Sequence, residues 1–246
     1  MTNYMAPIQK LPKIILIHGL NNNLESFYGM RDYFISLGFE VNMIRLPGHD
    51  ENREDMFLYE RAMRVFDERV SPLTEDPYIV MAFSLGALYY ELWEKKNGVK
   101  ASKKLYLAPA FAIKNLALIK RLVEFLPSEF PIRSFMPKFA RNRSFLFIKE
   151  YKILLQGVKD FSQNFEVSGD VLILLDPKDE LVDSGYILKN WKNHDQIQVI
   201  NRPYLKNLRG HHHMIFHPDY FSDVDWKNFQ NLLEDFILPK SKKAFL

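Results

Sequence analysis

Three stretches of the chain carry residue types that together could move a proton and attack a carbonyl. The first is YIVMAFSLGAL, residues 78–88, where Ser84 sits between the small residues Ala82 and Gly86. A strand that reverses into a helix within one or two residues strains the apex and brings the flanking backbones close, so small neighbours suit it. The turn also leaves Ser84 at the amino end of the following helix, where free N–H groups and the dipole favour negative charge. A serine before a helix is also a common N-cap, and the apolar strand ahead of it is what favours the nucleophile. The second stretch, DPKDELVD at 176–183, offers Asp176, Asp179, Glu180 and Asp183 directly after the apolar run VLILL. The third, GHHHMIFHP at 210–218, offers His211, His212, His213 and His217. A serine hydroxyl is barely ionised at neutral pH, so a neighbouring imidazole must take its proton and later return it. A carboxylate beside that imidazole fixes its tautomer and stabilises its cation.

Positioning these groups requires an ordered frame, and the sequence outlines one. Apolar, β-branched runs at 13–18, 40–45, 78–83, 104–107, 171–175 and 196–201 read as strands. Residues 24–37, 59–70, 85–97 and 225–237 show helical spacing between or after them. Such alternation predicts the α/β class: one mainly parallel sheet with helices on both faces. Reactive groups of such sheets collect at the carboxyl ends of the strands. Residues 111–166 break the alternation. They hold apolar and aromatic residues at helical spacing, prolines at 127, 131 and 137, and no convincing strand, which predicts a helical insertion.

Composition narrows the chemistry further. A chain of 246 residues can bury one large core, and one domain is the expectation. Cysteine is absent, which excludes disulfides, thiolate metal sites and a cysteine nucleophile. Three adjacent histidines cannot easily face one ion from a regular element, and HExxH is missing, so no metal is expected. The apolar run near the N-terminus is too short for a signal peptide, and no run approaches a membrane span, so the expected location is cytoplasmic. The net charge of +3 points to no nucleic-acid partner. Between residues 112 and 156, however, nine basic residues face three acidic ones, leaving peripheral contact of a basic insertion with an anionic lipid surface or an acidic substrate open.

Over nearly its whole length the chain resembles the α/β-hydrolase superfamily, in its serine esterase and lipase-like branch. Ala82-Phe83-Ser84-Leu85-Gly86 is similar to the family's Gly-x-Ser-x-Gly elbow with alanine for the first glycine. His18-Gly19-Leu20 resembles its HG-x oxyanion loop, and Leu46-Pro47-Gly48-His49-Asp50 its PGHG turn. Asp176-Pro-Lys-Asp179-Glu-Leu-Val182 resembles G-x-x-D-x-x-V. The resemblance implies a catalytic triad of Ser84, Asp179 and His213, whose Met-Ile successor is like the apolar pair that often follows the family's histidine. His211 and His212 stay open as alternatives. It implies oxyanion donors at the Leu20 and Leu85 N–H groups, with His18 and His49 as scaffold. It further implies an α/β-hydrolase core at 1–110 and 167–246 and a helical cap at 111–166. The implied activity is hydrolysis of a carboxylic ester or thioester with an apolar acyl group, acting on a small ester or lipid-like substrate without cofactor. Serine at position 84 disfavours epoxide hydrolases and haloalkane dehalogenases, whose nucleophile is aspartate. Amide or carbon–carbon hydrolysis on the same triad, or a non-catalytic binding protein on the same fold, are the competing readings.

Overall fold

The structure, a computed structural model, describes residues 11–162, 167–200 and 212–238. Residues 1–10 of the expected core, residue 166 at the expected end of the insertion, residue 201 at the end of the last expected strand, and His211 lie outside the described residues. In chain order the elements are β1 (Lys13–Ile17), α1 (Tyr28–Ser36), β2 (Val41–Ile44), α2 (Tyr59–Val70), β3 (Tyr78–Phe83), α3 (Leu85–Asn97), β4 (Lys103–Leu107), α4 (Leu116–Phe125), β5 (Pro131–Arg133), β6 (Phe145–Phe147), α5 (Ile148–Ser162), β7 (Val171–Leu175), α6 (Ser184–Asn190), β8 (Ile197–Val199) and α7 (Asp223–Ile237).

Six strands form one sheet in the order β2-β1-β3-β4-β7-β8, and every pairing in it is parallel. The side chains of β3 and β7 are buried throughout, as continuous apolar strands in a parallel sheet must be. Chain direction across the sheet reverses once: β1 leads to β2 on one side, whereas β2 leads back past β1 to β3 and on to β4. Right-handed crossovers then place α1 on one face and α2 and α3 on the other. Side chains agree with that placement. Tyr33 on α1 donates to Glu234 Oε1 at 2.6 Å and to the Gln230 carbonyl at 3.1 Å on α7, while α3 packs against α2 and α5.

The insertion differs from the all-helical expectation. Between α4 and α5, β5 and β6 pair antiparallel with Ile132 opposite Leu146 and Arg133 opposite Phe145. Strands of three residues are too short to show an alternating pattern, and Pro131 opens β5 where a sheet edge tolerates it. The expected helix at 24–37 also divides, into a 3₁₀ turn at Glu25–Phe27 and then α1. Among the described residues no helix is long and apolar enough to cross a membrane.

One group of charges is buried where α3 meets β4. Lys104 lies 2.7 Å from Glu91 and 2.6 Å from Glu94, and Tyr106 donates to Glu91. Burial pushes the Glu91 carboxyl up to about 7 against the pull of Lys104. Deleting the cation would leave two carboxylates in the core without it. Lys104→Met is therefore expected to lower unfolding stability by about 3–5 kcal/mol. An unchanged denaturation midpoint would contradict that reading of the cluster.

Candidate active site

Ser84 occupies the bend between β3 and α3 with φ 50° and ψ −116°, a region that side chains other than glycine rarely enter. Holding a serine there costs on the order of 1–3 kcal/mol and needs surroundings that leave the backbone no other path. Two hydrogen bonds supply part of that constraint: the Ser84 N–H donates to the Leu107 carbonyl, and the Ser84 carbonyl accepts from Ala110 N–H, both at 3.0 Å. Close packing supplies the rest. A Cβ on Gly86 would stand 2.4 Å from the His18 carbonyl oxygen, and one on Gly19 would stand 2.9 Å from the Ser84 Cβ. Glycine at both places lets the end of β1 and the start of α3 touch beside the serine.

The acid arrives at the end of β7 and the imidazole from the loop before α7. His213 Nε2 is 3.1 Å from Ser84 Oγ, and His213 Nδ1 is 2.8 Å from Asp179 Oδ2. With Nδ1–H donating to the carboxylate, Nε2 is left to accept the serine proton. Asp179 is fully buried and its other oxygen accepts the N–H groups of Leu181 at 2.7 Å and Val182 at 2.9 Å. Burial alone would raise its pKa, but the adjacent His213 ring and these N–H groups hold it below the ordinary carboxylate value. The imidazole ring packs on Phe83 with centroids 4.7 Å apart, and Met214, Ile215 and Phe216 behind it are fully buried.

The competing acids and histidines have other partners. Asp176 pairs with His212 Nδ1 at 2.9 Å, and the Asp183 carboxylate accepts the Tyr186 N–H at the start of α6. Glu180 accepts the N–H of His213 at 3.0 Å, clamping the histidine loop to the acid loop. His217 lies against the Phe139 ring, and burial lowers its pKa. His18 and His49 are buried beside the site with both ring nitrogens engaged. His18 Nε2 accepts from Leu46 N–H and its Nδ1 donates to the Gly19 carbonyl; His49 Nε2 accepts from Asn21 N–H and its Nδ1 donates to the Pro47 carbonyl. Burial lowers His18 to about 4 and His49 in the same direction, so both are neutral braces.

Leu20 lines a cavity together with Ser84 and His213, and Leu85 is the first residue of α3, whose N–H has no intrahelical acceptor. Neither N–H donates to another described residue. The cavity holds about 410 Å³ and its walls are largely apolar, from Ile119, Val123, Ile132, Leu146 and Leu154 of the insertion. Among the described residues no group of three histidine or acidic side chains is arranged to hold a metal ion.

Asn21 was not singled out by the sequence, yet it ties the Gly19-Leu20 loop to the insertion. Its side chain donates to Ser134 Oγ and the Arg143 carbonyl, both at 2.8 Å, and accepts Arg143 N–H at 2.9 Å. Its carbonyl accepts Asn142 N–H at 2.7 Å. An asparagine run after a strand reads only as a turn. The positive φ of 59° at Asn21 fits that, but its side-chain partners lie over a hundred residues away.

No family model and no curated protein sequence matches the chain. Solved structures do. A monoacylglycerol lipase from Paleococcus ferrophilus superposes with a TM-score of 0.67 at 16% identity, over 92% of this chain and 95% of that one. A structure from work on LipS and LipT, two metagenome-derived lipolytic enzymes, gives 0.65 at 16% identity over 93% and 95%. The mouse alpha/beta hydrolase domain-containing protein 10 gives 0.62 at 18% identity over 92% and 89%. The chain has the α/β-hydrolase fold.

Two outcomes follow from the packing. Gly86→Ala is expected to destabilise the protein by about 1–3 kcal/mol and to disturb the Ser84 turn, since backbone rather than a flexible side chain blocks the new methyl; a wild-type denaturation midpoint would contradict this. His18 binds its proton near pH 4 when folded and near 6.5 when unfolded. As pH falls below 6.5 the unfolded chain takes up protons that the native one refuses, so stability present at neutral pH is lost progressively toward pH 4. Urea midpoints measured at pH 7 and pH 5 should show that fall, and a flat profile would rule it out.

Proposed function

We propose that the chain is a serine hydrolase that cleaves a carboxylic ester or thioester with an apolar acyl group. The observation that carries this reading is the relay from Ser84 Oγ to His213 Nε2 at 3.1 Å and from His213 Nδ1 to Asp179 at 2.8 Å, at the floor of an apolar cavity. Ser84 Oγ attacks the ester carbonyl carbon while His213 Nε2 takes its proton. The carbonyl oxygen becomes an oxyanion, to which the Leu20 and Leu85 N–H groups donate. Collapse breaks the acyl–oxygen bond, and the leaving alcohol takes the proton from His213. A water then gives a proton to His213 and attacks the acyl carbon; release of the acid returns that proton to Ser84. Asp179 remains ionised throughout and steadies the imidazolium.

The apolar walls support an acyl chain rather than a charged substituent in the cavity, with residues 111–166 acting as the cap that selects it. Names among the structural neighbours, a monoacylglycerol lipase and lipolytic enzymes, point the same way. A panel of p-nitrophenyl esters of rising chain length is expected to give the highest kcat/KM on medium or longer acyl chains, with Ser84→Ala inactive. Strongest turnover of acetate would count against an apolar acyl site, and faster cleavage of matched anilides would favour the amide reading. His213→Ala should lose at least about a thousandfold in kcat, whereas His217→Ala should keep most of it; the reverse pattern would reassign the base.

A further inference from the structure

The insertion that walls the cavity exposes several aromatic side chains, one of which, Phe135, also lines the cavity. Phe125 is 83% exposed, and Phe130, Phe135, Phe139 and Phe145 are each roughly half exposed. Exposed apolar side chains gathered in one segment make it a candidate contact site. On α4, Leu118, Arg121, Leu122 and Phe125 follow i, i+3, i+4, i+7 spacing, share one stripe and are all exposed. Leu118 and Leu122 of that stripe also line the cavity, as does Phe135, so the stripe borders its mouth.

The strand pair repeats the arrangement. Ile132 and Leu146 are directly opposite and face the cavity, which leaves Arg133 and Phe145, also opposite each other and both exposed, on the outer face. The exposed cations Lys120, Arg121, Arg133 and Lys138 form no ion pair among the described residues. Only Glu124 and Glu129 oppose them as exposed carboxylates in α4 and the loop after it, and Glu129 lies 3.9 Å from Lys149.

We propose that this face docks on an anionic lipid bilayer, so that the acyl chain of a membrane ester slides into the cavity without crossing water. The inference rests on reading the cavity as an acyl site. Phenylalanines that reach the acyl boundary, interleaved with lysine and arginine at the level of the phosphates, suit a headgroup interface. A protein bound here would instead cover the mouth and block the substrate.

Flotation of the full chain with vesicles tests this, using phosphatidylcholine alone and an equal mixture with phosphatidylglycerol. The protein should float with the mixed vesicles, less with the neutral ones, and be released by high salt. Arg121→Glu and Phe125→Asp, neither of which lines the cavity, should each weaken binding about tenfold while turnover of a water-soluble butyrate ester stays at the wild-type level. Ser84→Ala should float like wild type, which keeps the two readings apart. Flotation without ester turnover would sink the hydrolase reading alone, and turnover without flotation would sink the docking alone. Equal flotation of both surface variants and wild type overturns the proposal. A concentration-dependent dimer that Phe125→Asp dissolves, with no flotation, overturns it too and makes the face a contact between two copies.

Discussion

A serine backbone forced to positive φ is the constraint on which the site depends. The bend at Ser84 exists because β3 enters it fully buried between β1 and β4, because Leu107 and Ala110 hold both of its peptide groups, and because Gly19 and Gly86 let neighbouring chains close in. Relaxing the bend into ordinary helical or extended geometry would tilt the hydroxyl away from His213. The sheet thus does mechanical work for the chemistry: its packing outweighs a local strain of a few kcal/mol. That strain also makes Ser84 more than an N-cap, since its side chain makes no cap hydrogen bond to α3.

Around that bend, two loops are registered by polar contacts rather than by secondary structure. The acid loop gives Asp179 to His213 and Asp176 to His212, while Glu180 receives the His213 N–H between them. From the insertion, Lys114 donates its Nζ to the Asp179 carbonyl and its N–H to the Leu181 carbonyl of the same loop. On the opposite side, Asn21 joins the Gly19-Leu20 loop to residues 134–143. The insertion that walls the cavity is therefore bonded to both the acid loop and the loop beside the serine, so the shape of the cavity and the geometry of Ser84, His213 and Asp179 are mechanically coupled.

Much of this is legible in the chain because the serine and the acid each follow an apolar strand. YIVMAF and VLILL can be placed in the sheet from their composition alone, and Ser84 and Asp179 then fall at strand ends. The histidine was harder. Three consecutive imidazoles look alike in sequence, and what separates His213 from His212 is the partner each meets: His212 pairs with Asp176, whereas His213 pairs with Asp179 and packs on Phe83 from a distant segment. The Asn21 clip and the β5–β6 pair left no readable trace, the first because its partners are remote and the second because three residues cannot display a period of two.

Covalent labelling with a fluorophosphonate probe tests whether Ser84 is a nucleophile activated by His213. The native protein is expected to gain one adduct, mapped by peptide mass spectrometry to Ser84, and His213→Ala to react far more slowly. An adduct on any other residue, or an unlabelled native protein, would contradict it.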